Sequence, residues 1–340
     1  AEAINPSTVV LFFTETLNRQ AASDVAQYSI SNGVGNPLSA TVPLTNFKTV
    51  VLALAAPIAD NTIYTVSVGQ QVTDCAGNAV GQLYSQAPFG IAHAAQPNDM
   101  VINEILFNPA TGGYDYVELY NRTNTVLSLN GWYTANTEPE TADTLVNHEL
   151  MVTEVFSLHP GAYVVLTENV ADIIQRYGQC GTNLNPARFI QTGLPTLDDT
   201  EGTIAITNLF NTTVIDRVDY LDDWQNEILD SKDGISLERI NPDAASNSPD
   251  NWQSAASTAC YGTPSLPNSQ SALPGIGTET FTVSPQAFSP DGDGNDDFTL
   301  ISYQLPNPGY IANITIYDER GREVRRLVQN ELLGTQGFYK

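Results

Sequence analysis

Positive charge is what this sequence has least of. Its 340 residues carry 13 Lys and Arg against 38 Asp and Glu, a formal net charge of −25 and a sequence pI near 4.1. Nucleic acid and anionic membrane surfaces are bound through basic patches, so this balance argues against both as partners. Histidine is also scarce. His148 lies in "LVNHEL" without the second histidine of a zinc-protease helix, His93 falls in a polar stretch, and His159 in "SLHPG" reads as a turn. Gly-x-Ser-x-Gly elbows, P-loops and Cys-x-x-Cys pairs are missing, and with them the usual hydrolase, nucleotide and redox signatures. No run approaches the ~20 apolar residues of a membrane helix, and no basic-then-apolar stretch opens the chain. Membrane insertion is therefore not expected, and an export signal is expected to lie outside this sequence.

Three cysteines allow one disulfide and leave one thiol over. Cys180 with Cys260 is the preferred pair, because both fall within one expected domain; three buried free thiols are the alternative. Closing so long a loop stabilises by about 4 kcal/mol in the chain-entropy model.

What is present is the makeup of an extracellular all-β protein. Only 15% of residues are charged, so Asn, Thr, Ser, Gln and Gly supply much of the polar surface between β-branched and aromatic runs. The length implies two or three domains. Residues 1–93 alternate in short runs bounded by Asn, Gly, Pro or Asp, at β-sandwich spacing. "STVVLFFTETLN", "AQYSIS" and "YTVSVGQQVTDCAGNAV" resemble the bacterial Ig-like domain of S-layer and other surface proteins, with one strand expected upstream of Ala1. "IAHAAQPND" reads as a linker.

Residues 99–269 carry a second set of motifs: "MVINEILFNP", "YDYVELYN", "LNGW", then "ISLERINPDAASNSPDNWQ" and "YGTPSLPN". They resemble the lamin tail domain, an Ig-like sandwich. Within them "VADIIQRYG" is the one clear helix, with Ile173, Ile174 and Tyr177 on one face and Gly178 at its end. "NSQSALPGIGTET" reads as a Ser/Pro/Gly linker. Residues 279–340 hold "FSPDGDGNDDFTL" and the hairpin "NITIYDERGREVRRL". These resemble the flagellar hook-capping type of Ig-like domain, which also occurs as the gliding-motility-associated C-terminal domain of proteins exported by the type IX system of Bacteroidetes. That resemblance implies type IX export machinery as a partner, two further strands beyond Lys340, and an open sheet edge covered by a partner strand or disordered.

The aspartate-rich loop is the most chemical stretch of the chain. Asp291, Asp293, Asn295 and Asp297 alternate around Gly292 and Gly294 and form a candidate Ca2+ site. Leu300 stands where an EF-hand would place its bidentate Glu, so the loop is not an EF-hand. Two carboxylates ~5 Å apart repel by roughly 0.8 kcal/mol even in water, which a cation would relieve. A solvated turn whose aspartates accept backbone N–H groups is the other reading. Catalytic use is not expected, since general acid–base chemistry needs a cleft around a perturbed carboxyl. Glu104 and Glu118 lie on strands that look buried and read as acceptors for backbone hydrogen bonds. Trp132 reads as core, whereas Trp224 in "YLDDWQNE" is the best candidate for an exposed binding platform, for instance for glycans.

The expectation is an all-β chain of tandem Ig-like β-sandwiches joined by short linkers, from a secreted or cell-surface structural or adhesion protein. Other surface proteins or further copies of itself would be its partners. The alternative is an accessory carbohydrate- or protein-binding region of a larger secreted hydrolase or nuclease.

Overall fold

The computed structural model describes residues 1–139, 143–153, 155–180, 183–272 and 278–340. It is built of mostly antiparallel sheets of two to six strands and divides into two compact units. The first comprises residues 1–95, 123–130 and 154–161; the second comprises 96–122, 131–153 and 162–340.

In the first unit a four-stranded sheet runs in the order Glu2–Asn5, Thr8–Phe12, Thr49–Ala53, Ser39–Thr41. A three-stranded sheet consists of Tyr28–Ile30, Tyr64–Val68 and Gln86–Phe89. The alternation in "TVVLF" sends Val9 and Leu11 inward, where they meet Leu52, Tyr28, Val66 and Phe89 in one core. Asp74 closes the "VTDCAGN" turn by accepting the backbone N–H groups of Ala76 and Asn78 and the side-chain amide of Asn78. These bonds, that of Asn78 foremost, lower its carboxyl pKa. The stretch expected as a linker is partly strand. Ala92–Ala94 pairs in parallel with Val126–Ser128, which also pairs with Ser157–Leu158, and His93 meets Asp60 at 2.7 Å. Composition marks that stretch as polar, but its strand partners lie more than thirty residues away.

The second unit is built on a six-stranded sheet in the order Phe189–Gln191, Tyr163–Thr167, Tyr116–Asn121, Met100–Leu106, Leu237–Arg239, Trp252–Ser254. One face meets a four-stranded sheet of Val146–Leu150, Tyr133–Asn136, Glu201–Thr207 and Val214–Leu221. Phe107 stacks there on Tyr220 with ring centroids 4.5 Å apart. The other face is covered by the helix Val170–Tyr177 and by the stretch that follows Cys260. Leu106, Tyr116 and Val165 pack against Ile173 and Tyr177 of that helix. Covering on both faces explains why all seven residues of Met100–Leu106 are buried although their pattern alternates.

Residues 279–340 pack into this second unit. Thr280–Ser284, Leu300–Gln304 and Gln336–Tyr339 form a three-stranded sheet, and Ile311–Tyr317 with Glu323–Leu332 form a hairpin. The junction corrects the expected linker at residues 268–280. Asn268 and Gln270 are buried, Ser269 O accepts the Thr335 N–H at 2.8 Å, and the Gln270 amide donates to Leu333 O at 3.0 Å. Residues 273–277 of that expected linker lie outside the described residues. Ser/Pro/Gly composition signals a turn-rich path, and here that path is tied down by partners far along the chain.

Candidate functional site

Three adjacent strands place three glutamates side by side. Glu118 lies opposite Glu104, and Glu104 lies opposite Glu238, so the carboxyl groups form a ladder across the Tyr116–Asn121, Met100–Leu106 and Leu237–Arg239 strands. All three are fully buried. A bulge between Glu118 and Leu119 leaves Asn103 without a paired residue, and its side-chain amide donates to Glu118 at 2.9 Å.

The ladder holds down one stretch of chain, residues 263–270. Glu104 accepts the Thr263 N–H at 2.8 Å, the Tyr116 hydroxyl at 2.7 Å and the Ser236 hydroxyl at 2.5 Å. Glu118 accepts the Ser265 N–H at 2.5 Å, and Glu238 accepts the Gln270 N–H and the Ser269 hydroxyl, each at 2.8 Å. The Thr263 hydroxyl carries one proton but faces two carboxylates, Glu238 at 2.8 Å and Glu104 at 3.3 Å. One of those contacts requires a proton on a glutamate. Burial raises all three carboxyl pKa values, that of Glu238 to about 8, and Glu104 pushes Glu118 and Glu238 further up by repulsion. Gly262 has no room for a side chain, since a Cβ there would meet the Tyr177 ring at 2.7 Å and the Tyr116 hydroxyl at 2.8 Å.

On the opposite side of the sheet, Arg239 and Asp216 form a buried ion pair at 3.0 Å. The Arg239 Nε donates to Ile102 O at 2.6 Å, and Asp216 accepts the Ile102 N–H at 2.8 Å and the Ser246 hydroxyl at 2.5 Å. The guanidinium also lies 4.9 Å from the Trp252 ring centroid. Burial pulls its pKa down while Asp216 pushes it back up. Trp224 is half-buried and stacks on Trp252 with centroids 6.4 Å apart, so one of its faces is already taken. Trp132 is buried. Cys180 and Cys260 are joined as a disulfide with Cα atoms 5.7 Å apart, and Cys75 is an exposed free thiol.

In the aspartate-rich loop, Asp291, Asp293 and Asp297 bring one carboxylate oxygen each within 4.8 Å of the others. Asp297 accepts the N–H groups of Gly292 at 2.6 Å and Gly294 at 2.9 Å, and Gly292, Gly294 and Asp296 all have positive φ. Asn295 donates its N–H to Asp293 at 2.7 Å. One oxygen from each of three carboxylates is half or fewer of those calcium takes, leaving the rest to second carboxylate oxygens, carbonyls and water. Two hollows, of about 430 and 320 Å³, lie among residues 279–340; neither is lined by a carboxylate, histidine or cysteine.

The residues that matter most for this geometry and that motif reading passes over are Glu238, Arg239 and Asp216. Glu238 and Arg239 stand in the "LER" of a motif already singled out, but only strand register reveals that Glu238 faces Glu104.

Residues 93–222 match the family model of the lamin tail domain, and residues 1–90 match that of a bacterial Ig-like domain. No curated protein matches the chain. Among solved structures, the chain is similar to the N-terminal part of the bacterial S-layer protein SbsC, at 16% identity and a TM-score of 0.24, over 48% of this chain and 38% of that one. It is also similar to a DUF4876 family protein from Bacteroides thetaiotaomicron, at 14% identity and a TM-score of 0.31, over 73% of this chain and 95% of the other. The chain thus spans well under half of the S-layer structure it matches.

Proposed function

We propose that this chain is a structural and adhesive segment of a secreted or surface-displayed protein, with the bacterial Ig-like unit as spacer and the lamin-tail sandwich as interaction module. One observation carries the reading: the buried carboxylates Glu104, Glu118, Glu238 and Asp216 are all bonded to groups of the fold itself. Carboxyl groups so engaged hold backbone in place, a structural role and not that of an acid or base turned toward a substrate. Self-association of the purified chain tests this. Concentration-dependent sedimentation is expected, whereas hydrolase activity abolished by one point substitution would overturn the reading.

Residues 279–340 are proposed to belong to a C-terminal export or attachment domain of the type IX kind, on the strength of the "FSPDGDGND" and "IYDERGREV" motifs. Exchange of this segment for an unrelated β-hairpin domain should then abolish export in a type IX host. We further propose that Asp291, Asp293, Asn295 and Asp297 take Ca2+ weakly. Melting with millimolar calcium and with chelator should then differ, and D293N/D297N should remove the difference.

A second reading, an accessory glycan-binding region, is favoured by Trp224 alone, which is half-buried and stacks on Trp252. A glycan panel read with wild type and Trp224→Ala separates the two; no binding by wild type removes it.

A further inference from the structure

Cationic residues are scarce and unevenly placed. Residues 320–340 hold five of the 13 Lys and Arg but two of the 38 Asp and Glu, so the remaining 319 residues are even more acidic than the net charge of −25 conveys. Four of the five, Arg320, Arg322, Arg325 and Arg326, sit within seven residues at the turn and first half of the Glu323–Leu332 strand, all exposed. Arg322 pairs with Asp318 and Arg326 with Glu323, both next to it in the hairpin. Among the described residues, Arg320 and Arg325 make no ion pair, and none of the four arginines meets an acid outside the hairpin. Beside them Ile316, Tyr317 and Val324 are 41%, 59% and 66% exposed. Arginine and tyrosine around an exposed aliphatic centre is the composition of an interface core.

The same unit has an acidic end. Asp198, Asp199 and Glu201 lead into the Glu201–Thr207 strand, and the Asp222 N–H donates to Thr200 O, which brings Asp223 to the same end. Asp115 is crowded there. Burial, then Asp199 and Glu168, push its carboxyl up to about 7, and its Oδ1 is buried with no hydrogen-bond partner. An approaching cation would relieve that repulsion.

We infer that the arginine hairpin at residues 316–326 docks head-to-tail onto the acidic end, around Asp115, Asp199 and Glu201, of a second copy of this chain. The hairpin docks through side chains and not by adding a strand. Its ladder shifts register three times, between Ala312 and Ile314, Ile314 and Thr315, and Ile316 and Tyr317, and such bulges blunt an edge against strand addition. Two different patches on one unit make a heterologous contact, which propagates into open rows unless the rotation closes a ring. The inference rests on the self-association proposed above and gives it a site.

Charge exchange tests it on the full chain. R320E/R325E alters the hairpin and D199K/E201K alters the acidic end, with unchanged tryptophan-monitored melting as the check on folding. Each variant alone should stay monomeric at 50 mM NaCl where wild type associates. An equimolar mixture should associate again, because each variant's altered patch meets its complement on the other. Wild-type association should weaken at least tenfold between 50 and 500 mM NaCl, as screening shortens. Wild-type association that survives both exchanges would overturn this contact and leave self-association standing. A chain monomeric at every concentration would overturn both, and a monomer whose hairpin arginines bind dextran sulfate would reassign the patch to a polyanion.

Discussion

Replacing Glu238 by glutamine is the sharpest test of the glutamate ladder. In the fold Glu238 has a pKa of about 8, against 4.5 for an ordinary glutamate. Between those values the native state keeps a proton that the unfolded chain has released, so stability falls as pH rises. The loss approaches about 1.4 kcal/mol per pH unit midway between the two values and lessens toward each, or about 3 kcal/mol in all from pH 5 to pH 8. Below the unfolded value both states are protonated, and above the folded value both are ionised, so the contribution levels off on either side. Glutamine copies the protonated acid. Its carbonyl can accept from the Gln270 N–H and the Ser269 hydroxyl, and its amide can donate to the Thr263 hydroxyl oxygen, which then donates to Glu104. E238Q should therefore cost less than about 1 kcal/mol at pH 5, one hydrogen bond's worth. Its stability curve should be flatter than that of wild type by one proton between pH 5 and 8. Denaturant midpoints read by tryptophan fluorescence at a series of pH values measure this directly, because Trp132, Trp224 and Trp252 all lie in the second unit. Parallel curves for variant and wild type, or a loss above 2 kcal/mol at pH 5, would mean that Glu238 is held as a carboxylate and would refute its assignment as the protonated member of the pair at Thr263.

Asp216→Ala strands the Arg239 guanidinium in the core and should destabilise the same unit by about 3–5 kcal/mol, seen as a shift in denaturant midpoint at constant slope. Reducing the Cys180–Cys260 bridge, which spans 80 residues, should cost about 4 kcal/mol, measured by comparing midpoints with and without a thiol reductant. Gly262→Ala forces a methyl group against Tyr177 and Tyr116 and should cost about 1–3 kcal/mol, with the melting temperature as readout.

Much of the fold is legible in the sequence because it rests on local rules. Alternation in "TVVLF", the helix "VADIIQRY" ahead of Gly178, and the hairpin around "DERG" each depend on residues within a few positions of one another. Buried acceptor roles for Glu104 and Glu118 are also readable, since a carboxyl on a buried strand must find donors. The donors themselves are not readable, because Thr263 and Ser265 lie about 150 residues away. The same limit hides the ladder, for only strand register sets Glu238 opposite Glu104. It also accounts for the residues expected as linkers. Ala92–Ala94 and Asn268–Gln270 look like connecting chain locally, and their order comes from partners that composition does not reveal.

The placement of that donor stretch bears on the order in which the chain can fold. Synthesis runs from the N-terminus, so Glu104 is made 159 residues before the Thr263 N–H that it accepts, and Glu118 is made 147 residues before that of Ser265. Until then, burying either carboxyl would leave it without these backbone donors, at a cost of several kcal/mol. The ladder therefore has its full set of backbone donors only when the chain is present through residue 270, which ties the burial of these carboxyl groups to a segment about 150 residues further along. Gln270, the last residue of the stretch, also bonds through its side chain to Gly309 and Leu333, so one short segment joins the buried ladder to the C-terminal strands.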